Sequence, residues 1–263
     1  MMYDPKRGSS RQERVRGMAG LVNQLQVSRF LQVYDNAAAR RGIELSIGFD
    51  FREYVAITSA TPTKGRTYPN FRPERSPIRS GEGYWIIGLD KNKEVALTDA
   101  ARLYDLSRSN LAEHLESLSA FYDDPSVHAH SQDRCVCNAP SATRITGKVA
   151  YHGDLWVRKD CRGQGLAKIV AGVAHGLSFA MWTPDFLCSL VGGFSLEKGL
   201  VAQYEMAHQE PGGSILQLVE ENIVDDDWLI WLTGEELRRQ VEDHDETKLL
   251  RTVSGSRIER SPG

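Results

Sequence analysis

The stretch from Asp154 to Ala167 reads DLWVRKDCRGQGLA and decides the fold that we predict. Its first part, Leu155 to Val157, is a short apolar run of the kind found in strands. Gly163 and Gly165 then form a turn, and the residues after the turn repeat at the spacing of one helical face. The apolar positions are Leu166, Ile169, Val170, Val173, Ala174 and Leu177. The stretch therefore predicts a strand, a glycine turn and a helix that packs on a sheet.

The chemistry of this turn favours an anion. The first N–H groups of a helix have no acceptor within the helix, and the helix dipole places partial positive charge at that end. Gly163 and Gly165 have no Cβ atom that would hold a bulky ligand away from those N–H groups. Arg158, Lys159 and Arg162 add positive charge nearby. We therefore expect a pyrophosphate to bind here.

Other interpretations of the turn fit the sequence less well. A dinucleotide fingerprint needs a third glycine, and position 168 is lysine. The phosphate-binding loop G-x-x-x-x-G-K-[ST] is absent from the sequence. A strand-to-helix connection that binds no ligand remains an alternative.

The segment resembles the cofactor-binding motif of the GNAT superfamily of acyl-CoA N-acyltransferases. That motif has Arg or Gln, two residues, Gly, one residue, and then Gly or Ala, and Arg162, Gly165 and Ala167 match it. The sequence Ala202-Gln203-Tyr204-Glu205 resembles the family segment that places a tyrosine near the coenzyme sulfur. The resemblance covers about residues 148–206. It implies an α/β (α+β) fold with a mixed, mostly antiparallel central sheet, flanking helices and a splayed strand that binds acyl-CoA.

The resemblance also implies a reaction. Acetyl-CoA or another acyl-CoA would be the co-substrate, and a primary amine would attack it directly in a ternary complex. A backbone N–H near the end of the splayed strand would polarise the thioester carbonyl. The residues expected to bind the cofactor are Leu155, Trp156, Val157, Arg162, Gly163, Gln164, Gly165, Leu166 and Ala167.

Three residues are candidates for proton transfer. The phenol of Tyr204 has an ordinary pKa of about 10, so it can donate a proton to the departing thiolate. His152 and Asp154 precede the thioester strand end and share one strand face by the period of two, and each is a candidate base. A water chain would serve equally well as the proton acceptor, and a purely structural role remains open for all three residues.

The chain of 263 residues suits one large domain with extensions. We predict a basic flexible tail at 1–17, a single acyltransferase domain at 18–240 with an insertion near 98–147, and a charged tail at 241–263. A proline-rich loop is expected at 60–83, and an irregular polar segment at 123–140. Helices are predicted at Met18–Arg41, Asn110–Tyr122, Gly165–Trp182 and Leu196–Met206. Strands are predicted at Ile43–Asp50, Tyr54–Ser59, Tyr84–Leu89, Glu94–Leu97, Lys148–Val157, Phe186–Val191, Ile215–Val219 and Asp227–Leu232.

Composition sets limits on partners and location. The formal net charge of -3 gives no general attraction to nucleic acid or to an anionic membrane. The sequence has no long apolar run, and its four cysteines do not suggest a disulfide scaffold, so we expect reduced thiols and a cytoplasmic location. The acceptor would be an amine on a small molecule or a protein, and a homodimer is left open. A non-catalytic acyl-CoA sensor and a protein-interaction scaffold are the alternative functions.

Two further clusters have less specific patterns. His128-x-His130 and Cys135-x-Cys137 contain zinc-ligand residue types, but their spacing is not that of a zinc finger, and we predict no metal. Asp225 to Asp227 reads as an acidic loop before a strand. A rim that attracts a cationic amine is the alternative interpretation of these three residues.

Overall fold

The computed structural model describes residues 22–197, 199 and 201–243. The predicted tail at 1–17, and residues 244–263 of the predicted tail at 241–263, lie outside the described residues, whereas residues 241 and 242 belong to the last helix. The strands are β1 Glu44–Gly48, β2 Gly83–Leu89, β3 Val95–Leu106, β4 Arg134–Val136, β5 Gly147–Val157, β6 Phe186–Gly192, β7 His208–Leu218 and β8 Ile223–Thr233. The helices are α1 Gln24–Ala39, α2 Phe51–Ala60, α3 Leu111–Glu116, α4 Pro125–His128, α5 Leu166–Trp182, α6 Gly193–Glu197 and α7 Gly234–Glu242.

All eight strands belong to one sheet, in the order β1-β2-β3-β5-β6-β8-β7-β4. Every neighbouring pair is antiparallel except β5 and β6, which run parallel. Helices α1, α5 and α7 pack against one face of the sheet, whereas α2, α3 and the proline-rich loop pack against the other. The predicted mixed, mostly antiparallel sheet with flanking helices is therefore confirmed.

The parallel pair β5–β6 separates after three registered residue pairs. These pairs are Val149–Phe186, Ala150–Leu187 and Tyr151–Cys188. Beyond them, β5 continues to Val157 beside β3, while β6 continues to Gly192 beside β8. The sheet therefore splays open at its centre, as predicted, and the opening lies between the C-terminal halves of β5 and β6.

A β-bulge marks the side of β5 that borders this opening. Thr98 of β3 pairs with Trp156, whereas Ala100 pairs with Gly153, so β5 contains one extra residue between these two pairs. Asp154 lies within the bulge and has a φ of 53°, in the left-handed region. Because the bulge adds one residue to β5, the side chains after it point to the opposite face of the sheet from the one that strict alternation would give.

The residues from Tyr54 to Ser59, predicted as a strand, belong instead to helix α2. The side chain of Asp50 accepts a hydrogen bond from the backbone N–H of Arg52 and begins this helix, and Glu53 lies in its first turn. Phe51, Tyr54 and Thr58 then form its buried face at helical spacing. The local cap therefore outweighed the β-favouring composition of the segment.

Two predicted helices are shorter than their apolar patterns suggested. The segment Leu196–Met206 consists of the end of α6, at Glu197, and a 3-10 turn at Val201–Tyr204, with Gly199 at a φ of 67° between them. The predicted helix Asn110–Tyr122 ends at Glu116, and Leu118 follows with a φ of 63°. A left-handed residue ends α-helical geometry, and leucine at such a position has no sequence signature.

The segment that we assigned to an insertion begins later than predicted. The hairpin of β2 and β3 is confirmed, but β3 extends to Leu106 and pairs with β5 as far as Gly147. The intervening segment therefore comprises residues 107–146. Its strand β4 pairs with β7 at the far edge of the sheet.

Candidate active site

The opening between β5 and β6 leads directly into the glycine turn. Leu155, Trp156 and Val157 form the half-buried end of β5, with β3 on one side and the opening on the other. A 3-10 turn at Lys159–Cys161 follows, and α5 begins at Leu166. One continuous stretch of chain therefore lines the opening and then forms the N-terminus of α5.

The backbone of the turn is arranged to receive an acceptor atom. Gly163 and Gly165 both lie in the left-handed region, with φ of 76° and 73°. Gly165 is the N-cap of α5, and no side chain caps that end of the helix. Within the described part of the chain, the backbone N–H groups of residues 163–168 donate no hydrogen bond. A Cβ atom added at Gly163 would meet no atom within 4 Å.

The charged residues around the turn are arranged differently from what we expected. Arg158 pairs with Asp90 at 2.6 Å and Asp160 at 2.7 Å, and these carboxylates raise its pKa, so its charge is already neutralised. The Nε of Arg162 donates to the carbonyl of Val157 at 2.9 Å. Arg158 therefore brings a charge that is already paired with carboxylates, which reduces what it can add at the turn.

A second set of charged residues lies near the turn. Arg41, just after α1, donates from Nε to the carbonyl of Gln164 at 2.5 Å and was not predicted. Lys168, in the first turn of α5, pairs with Glu205 at 3.0 Å. A cation that contacts the glycine turn therefore comes from the residues just after α1, which lie far away in the sequence.

A buried polar cluster lies where β5 and β6 begin to separate. His152 of β5 is 2.7 Å from Oδ1 of Asp99 through its Nε2, and its Nδ1 is 3.4 Å from Oγ of Ser189 on β6. Exposed fractions are 0% for Asp99, 3% for His152 and 5% for Ser189. Burial raises the pKa of Asp99 to about 6, and the adjacent His152 limits that rise.

Sequence reasoning identified His152 but missed Asp99 and Ser189. A signal for Asp99 exists, because this residue interrupts the run Val95 to Ala101, which is otherwise apolar apart from Thr98. A carboxylate in a strand that reads as buried predicts a partner for that carboxylate. No comparable signal marks Ser189.

Tyr204, at the end of the 3-10 turn Val201–Tyr204, lies within electrostatic range of this cluster. Burial, followed by the negative charge of Asp99, raises the pKa of Tyr204 to about 12. Its hydroxyl has no hydrogen-bond partner among the residues that the structure describes. The phenol is therefore protonated at neutral pH and close enough to Asp99 for their charges to interact.

Asp154 has a different environment from His152. Its carboxylate accepts hydrogen bonds from the Tyr54 hydroxyl at 2.7 Å, the Lys64 ammonium at 3.0 Å and the backbone N–H of Tyr68 at 3.3 Å. The bulge at Asp154 interrupts the alternation of β5, so the prediction that the two side chains share one face is wrong. The contacts of Asp154 favour a structural role, in which it holds the bulge against α2 and the proline-rich loop.

The acidic stretch Asp225 to Asp227 lies within β8 rather than before it. Asp225 accepts a hydrogen bond from the hydroxyl of Tyr68 at 2.7 Å. Asp227 pairs in register with Gly192 at the end of β6, and burial, together with Asp225 and Asp226, raises the pKa of Asp227 to about 7. These carboxylates therefore lie beside the strand that forms the second wall of the opening.

Metal-ligand clusters and membrane-spanning helices were the two remaining features of interest in the described part of the chain. No group of three or more His, Cys, Asp or Glu side chains is positioned there to hold a metal ion. None of its helices has the length and apolar character needed to cross a lipid bilayer.

No protein-family model matches this sequence, and no curated protein sequence matches it. Solved structures with a similar fold include NAA60 of Arabidopsis thaliana in complex with acetyl-CoA, with a TM-score of 0.41, 14% identity and coverage of 73% of this chain and 98% of that chain. A GNAT superfamily phosphinothricin acetyltransferase of Sinorhizobium meliloti in complex with acetyl-CoA has a TM-score of 0.39, 11% identity and coverage of 73% and 88%. A spermidine N-acetyltransferase of Vibrio cholerae in complex with CoA and spermine has a TM-score of 0.38, 12% identity and coverage of 74% and 98%.

Two of these structures are described as acetyltransferases, and one of the two as a member of the GNAT superfamily. The similarity is loose and concerns the fold. The function proposed below is argued from the splayed sheet and the glycine turn of this chain.

Proposed function

We propose that this protein is an acyl-CoA N-acyltransferase of the GNAT type, which moves an acetyl or other acyl group from coenzyme A to a primary amine. One observation carries the proposal: the open edge of β5 runs into a helix N-terminus whose N–H groups lack acceptors within the described chain. A long ligand with an anionic centre and a reactive group at one end matches this combination of the opening and the helix N-terminus. Residues 18–240 are proposed to act as one acyltransferase domain.

The turn would hold the pyrophosphate of the cofactor. The N–H groups of Gly163, Gln164, Gly165, Leu166 and Ala167 face no acceptor among the described residues. Their partial positive charge and the dipole of α5 favour two linked phosphates over a neutral ligand. The side chain of Arg162 turns back onto β5, so its contribution to the site is to hold the turn against the strand.

The pantetheine and thioester would lie along the end of β5. Backbone N–H groups that β3 does not pair in this region are available to the thioester carbonyl, and the bulge sets the direction in which they point. Such an N–H stabilises the negative charge that develops on the carbonyl oxygen as the amine attacks. Leu155, Trp156 and Val157 are the residues proposed for this contact.

Tyr204 is proposed as the acid that protonates the departing thiolate. Because its pKa is raised to about 12, the phenol is protonated at neutral pH, so a proton is present beside the thiolate when it departs. His152 is proposed as the base for the attacking amine, since its Nε2 is anchored on Asp99. Asp154 is proposed to hold the bulge, because its carboxylate already contacts Tyr54, Lys64 and Tyr68.

Calorimetry with acetyl-CoA and acetyl-pantetheine tests the cofactor site. Acetyl-pantetheine has the same thioester but lacks the pyrophosphate, so we expect it to bind at least about tenfold more weakly, equivalent to about 1.4 kcal/mol. Equal affinity for the two ligands would remove the assignment of the pyrophosphate to the turn.

Release of free thiol from acetyl-CoA in the presence of a panel of primary amines then tests the reaction. Amine-dependent release supports an enzyme. Tight binding of acetyl-CoA without amine-dependent release would support the alternative, a non-catalytic acyl-CoA sensor.

A further inference from the structure

We propose that Ser189, His152 and Asp99 form a hydroxyl–imidazole–carboxylate relay that takes the proton from the amine as it attacks the thioester. The inference rests on the proposed acyl transfer and deepens it by adding two residues to the site. Ser189 would be a catalytic residue in contact with the amine, and Asp99 a positioning residue that acts through His152.

The relay lies at the point where the sheet opens. The last registered pair of β5 and β6 is Tyr151–Cys188, and His152 and Ser189 are the next residues on the two strands. The hydroxyl of Ser189 donates to the carbonyl of His152 at 2.6 Å and lies 3.4 Å from Nδ1 of the same residue. Ser189 therefore joins the two strands at the inner end of the opening, at His152, three residues before Leu155, where the proposed contact with the thioester begins.

The hydrogen-bond network assigns the tautomer of His152. Its Nε2 is 2.7 Å from Oδ1 of Asp99, and a carboxylate can only accept, so the neutral ring carries its proton on Nε2. Nδ1 is then unprotonated and faces the Ser189 hydroxyl. The distance of 3.4 Å suits a relay that tightens when substrate binds, as catalytic hydrogen bonds commonly do.

A structural role alone accounts poorly for Asp99. Its side chain is 0% exposed, and its Oδ2 has no hydrogen-bond partner within the described part of the chain. Burial of a carboxylate that is only partly satisfied is unfavourable, and an apolar residue would fill the same space in β3 without that loss. Stabilisation of a transient imidazolium on His152 gives this carboxylate a function.

The proton balance of the step is complete. The amine nitrogen forms a bond to the thioester carbonyl carbon, and the carbon–sulfur bond breaks. The Ser189 hydroxyl first rotates from the carbonyl of His152, to which it donates at 2.6 Å, towards Nδ1 of the same residue. One amine proton then passes to Oγ of Ser189 while the hydroxyl proton passes to Nδ1 of His152, whose positive charge Asp99 stabilises. The thiolate takes a proton from Tyr204, and transfer from His152 to Tyr204 through solvent restores both groups.

Variants of Ser189 test the relay directly, with hydroxylamine as a small amine probe and acetyl-CoA as donor. Ser189→Ala should lower kcat about 100-fold, the usual scale of general-base catalysis, and change the KM for acetyl-CoA by less than about threefold. Ser189→Thr keeps a hydroxyl on a strand residue and should recover most of the rate. Ser178→Ala is the matched control, because Ser178 is a buried serine of α5 whose hydroxyl lies 2.8 Å from that of Tyr84.

The outcomes separate the relay from the proposed function. An unchanged kcat in Ser189→Ala, with an active wild-type protein, overturns the relay and leaves acyl transfer in place. An acetyl group found on Ser189 by mass spectrometry also overturns the relay, since the serine would then be a nucleophile. A wild-type protein that binds acetyl-CoA but does not accelerate its aminolysis overturns both ideas.

The dependence of kcat/KM on pH gives a second readout. As the pH falls through about 6, Asp99 gains a proton and no longer stabilises the imidazolium, so activity should decrease. The other titratable groups that act on the pair are Asp154, Tyr54, Tyr84, Tyr204 and His175. Asp99→Asn should lower the plateau of kcat/KM and shift the pH of this acidic limb, whereas a purely structural Asp99 would leave the pH of the limb unchanged.

Nitrogen NMR of the His152 ring tests the relay without an amine substrate and without a variant. The relay requires the neutral ring to carry its proton on Nε2 in the wild-type protein. A neutral ring with its proton on Nδ1 could not accept from Ser189, and its observation would overturn the proposal even if every variant failed to fold.

Discussion

Replacement of Gly165 by glutamate should weaken cofactor binding strongly without unfolding the protein. Gly165 is the N-cap of α5, so a side chain there would be adjacent in sequence to the N–H groups proposed to hold the pyrophosphate. A carboxylate at this end of a helix interacts favourably with the helix dipole, so the free protein gains a small stabilising contribution. The same carboxylate repels a pyrophosphate, so the substitution acts selectively on the complex.

The magnitude follows from the geometry of the turn. The φ of 73° at Gly165 means that any other residue costs about 1–2 kcal/mol of backbone strain. That is a modest part of the roughly 5–15 kcal/mol that stabilises a typical domain. A carboxylate about 5 Å from one phosphate charge costs about 1 kcal/mol in bulk water and about 3 kcal/mol at the lower effective dielectric of a protein surface. With two phosphates and some screening, we expect a loss of about 2–4 kcal/mol, or about 30- to 1000-fold in affinity.

Calorimetry with acetyl-CoA on three variants isolates this effect. Gly165→Ala has the same backbone strain as Gly165→Glu but no charge, so the ratio of the two affinities measures the electrostatic contribution. Gly81→Ala is the remote control, because Gly81 has a φ of 84° and a Cβ added there meets no atom within 4 Å. If Gly165→Glu binds acetyl-CoA within about threefold of Gly165→Ala, a difference below about 1 kcal/mol, the pyrophosphate does not lie at this turn.

Three further outcomes are expected. Tyr204→Phe should lower kcat about tenfold or more while the calorimetric Kd for acetyl-CoA changes little, and equal rates would dismiss the role of Tyr204 as acid. Asp154→Asn should lower the free energy of unfolding by about 3–5 kcal/mol in urea titrations, because Lys64, with a side chain only 5% exposed, loses its anionic partner. The double variant with Lys64→Met should recover part of that loss. If the effects of the two substitutions on the free energy of unfolding were additive, this interpretation would be wrong. Asp227 has a pKa of about 7 in the folded protein against 3.8 in the unfolded chain, so the native state binds the extra proton between these values. The contribution of Asp227 to the free energy of unfolding should therefore become more favourable as the pH falls from 8 to about 5. If the difference in free energy of unfolding between wild type and Asp227→Asn does not change over this range, the carboxylate is solvated.

The parts of the site that are local in sequence could be predicted. The strand end at Leu155 to Val157, the glycine turn and helix α5 follow one another along the chain, and their signals are nearest-neighbour properties: apolar runs, glycine and helical spacing. The structure confirms these elements. The splayed strand followed from the family resemblance of the same stretch.

The polar cluster at the inner end of the opening could not be predicted. His152 is 53 residues from Asp99 and 37 residues from Ser189, and their meeting depends on strand order and register, which hydrophobic alternation alone does not fix. The bulge at Asp154 shows the same difficulty on a smaller scale. One extra residue in β5 reversed the expected relation between His152 and Asp154, and no residue type in the sequence signals it.

The error at Tyr54 to Ser59 has a different origin, because there two local signals disagreed. The run contains β-branched and aromatic residues, which favour a strand. Asp50 and Glu53 before it form the pattern of a helix start, and the structure shows that Asp50 does cap the helix. The capping pattern was present in the sequence and was given too little weight.

The segment 107–146 ties together two halves of the sheet that are otherwise joined weakly. Only three residue pairs connect β5 to β6, so the sheet consists of a β1-β2-β3-β5 half and a β6-β8-β7-β4 half. The segment leaves the first half at the end of β3, adds β4 to the outer edge of the second, and binds β7 there through Ser141 and Glu210 at 2.8 Å. The segment therefore connects the two halves by a route separate from the β5–β6 pair, so the halves stay joined around the place where the sheet itself opens.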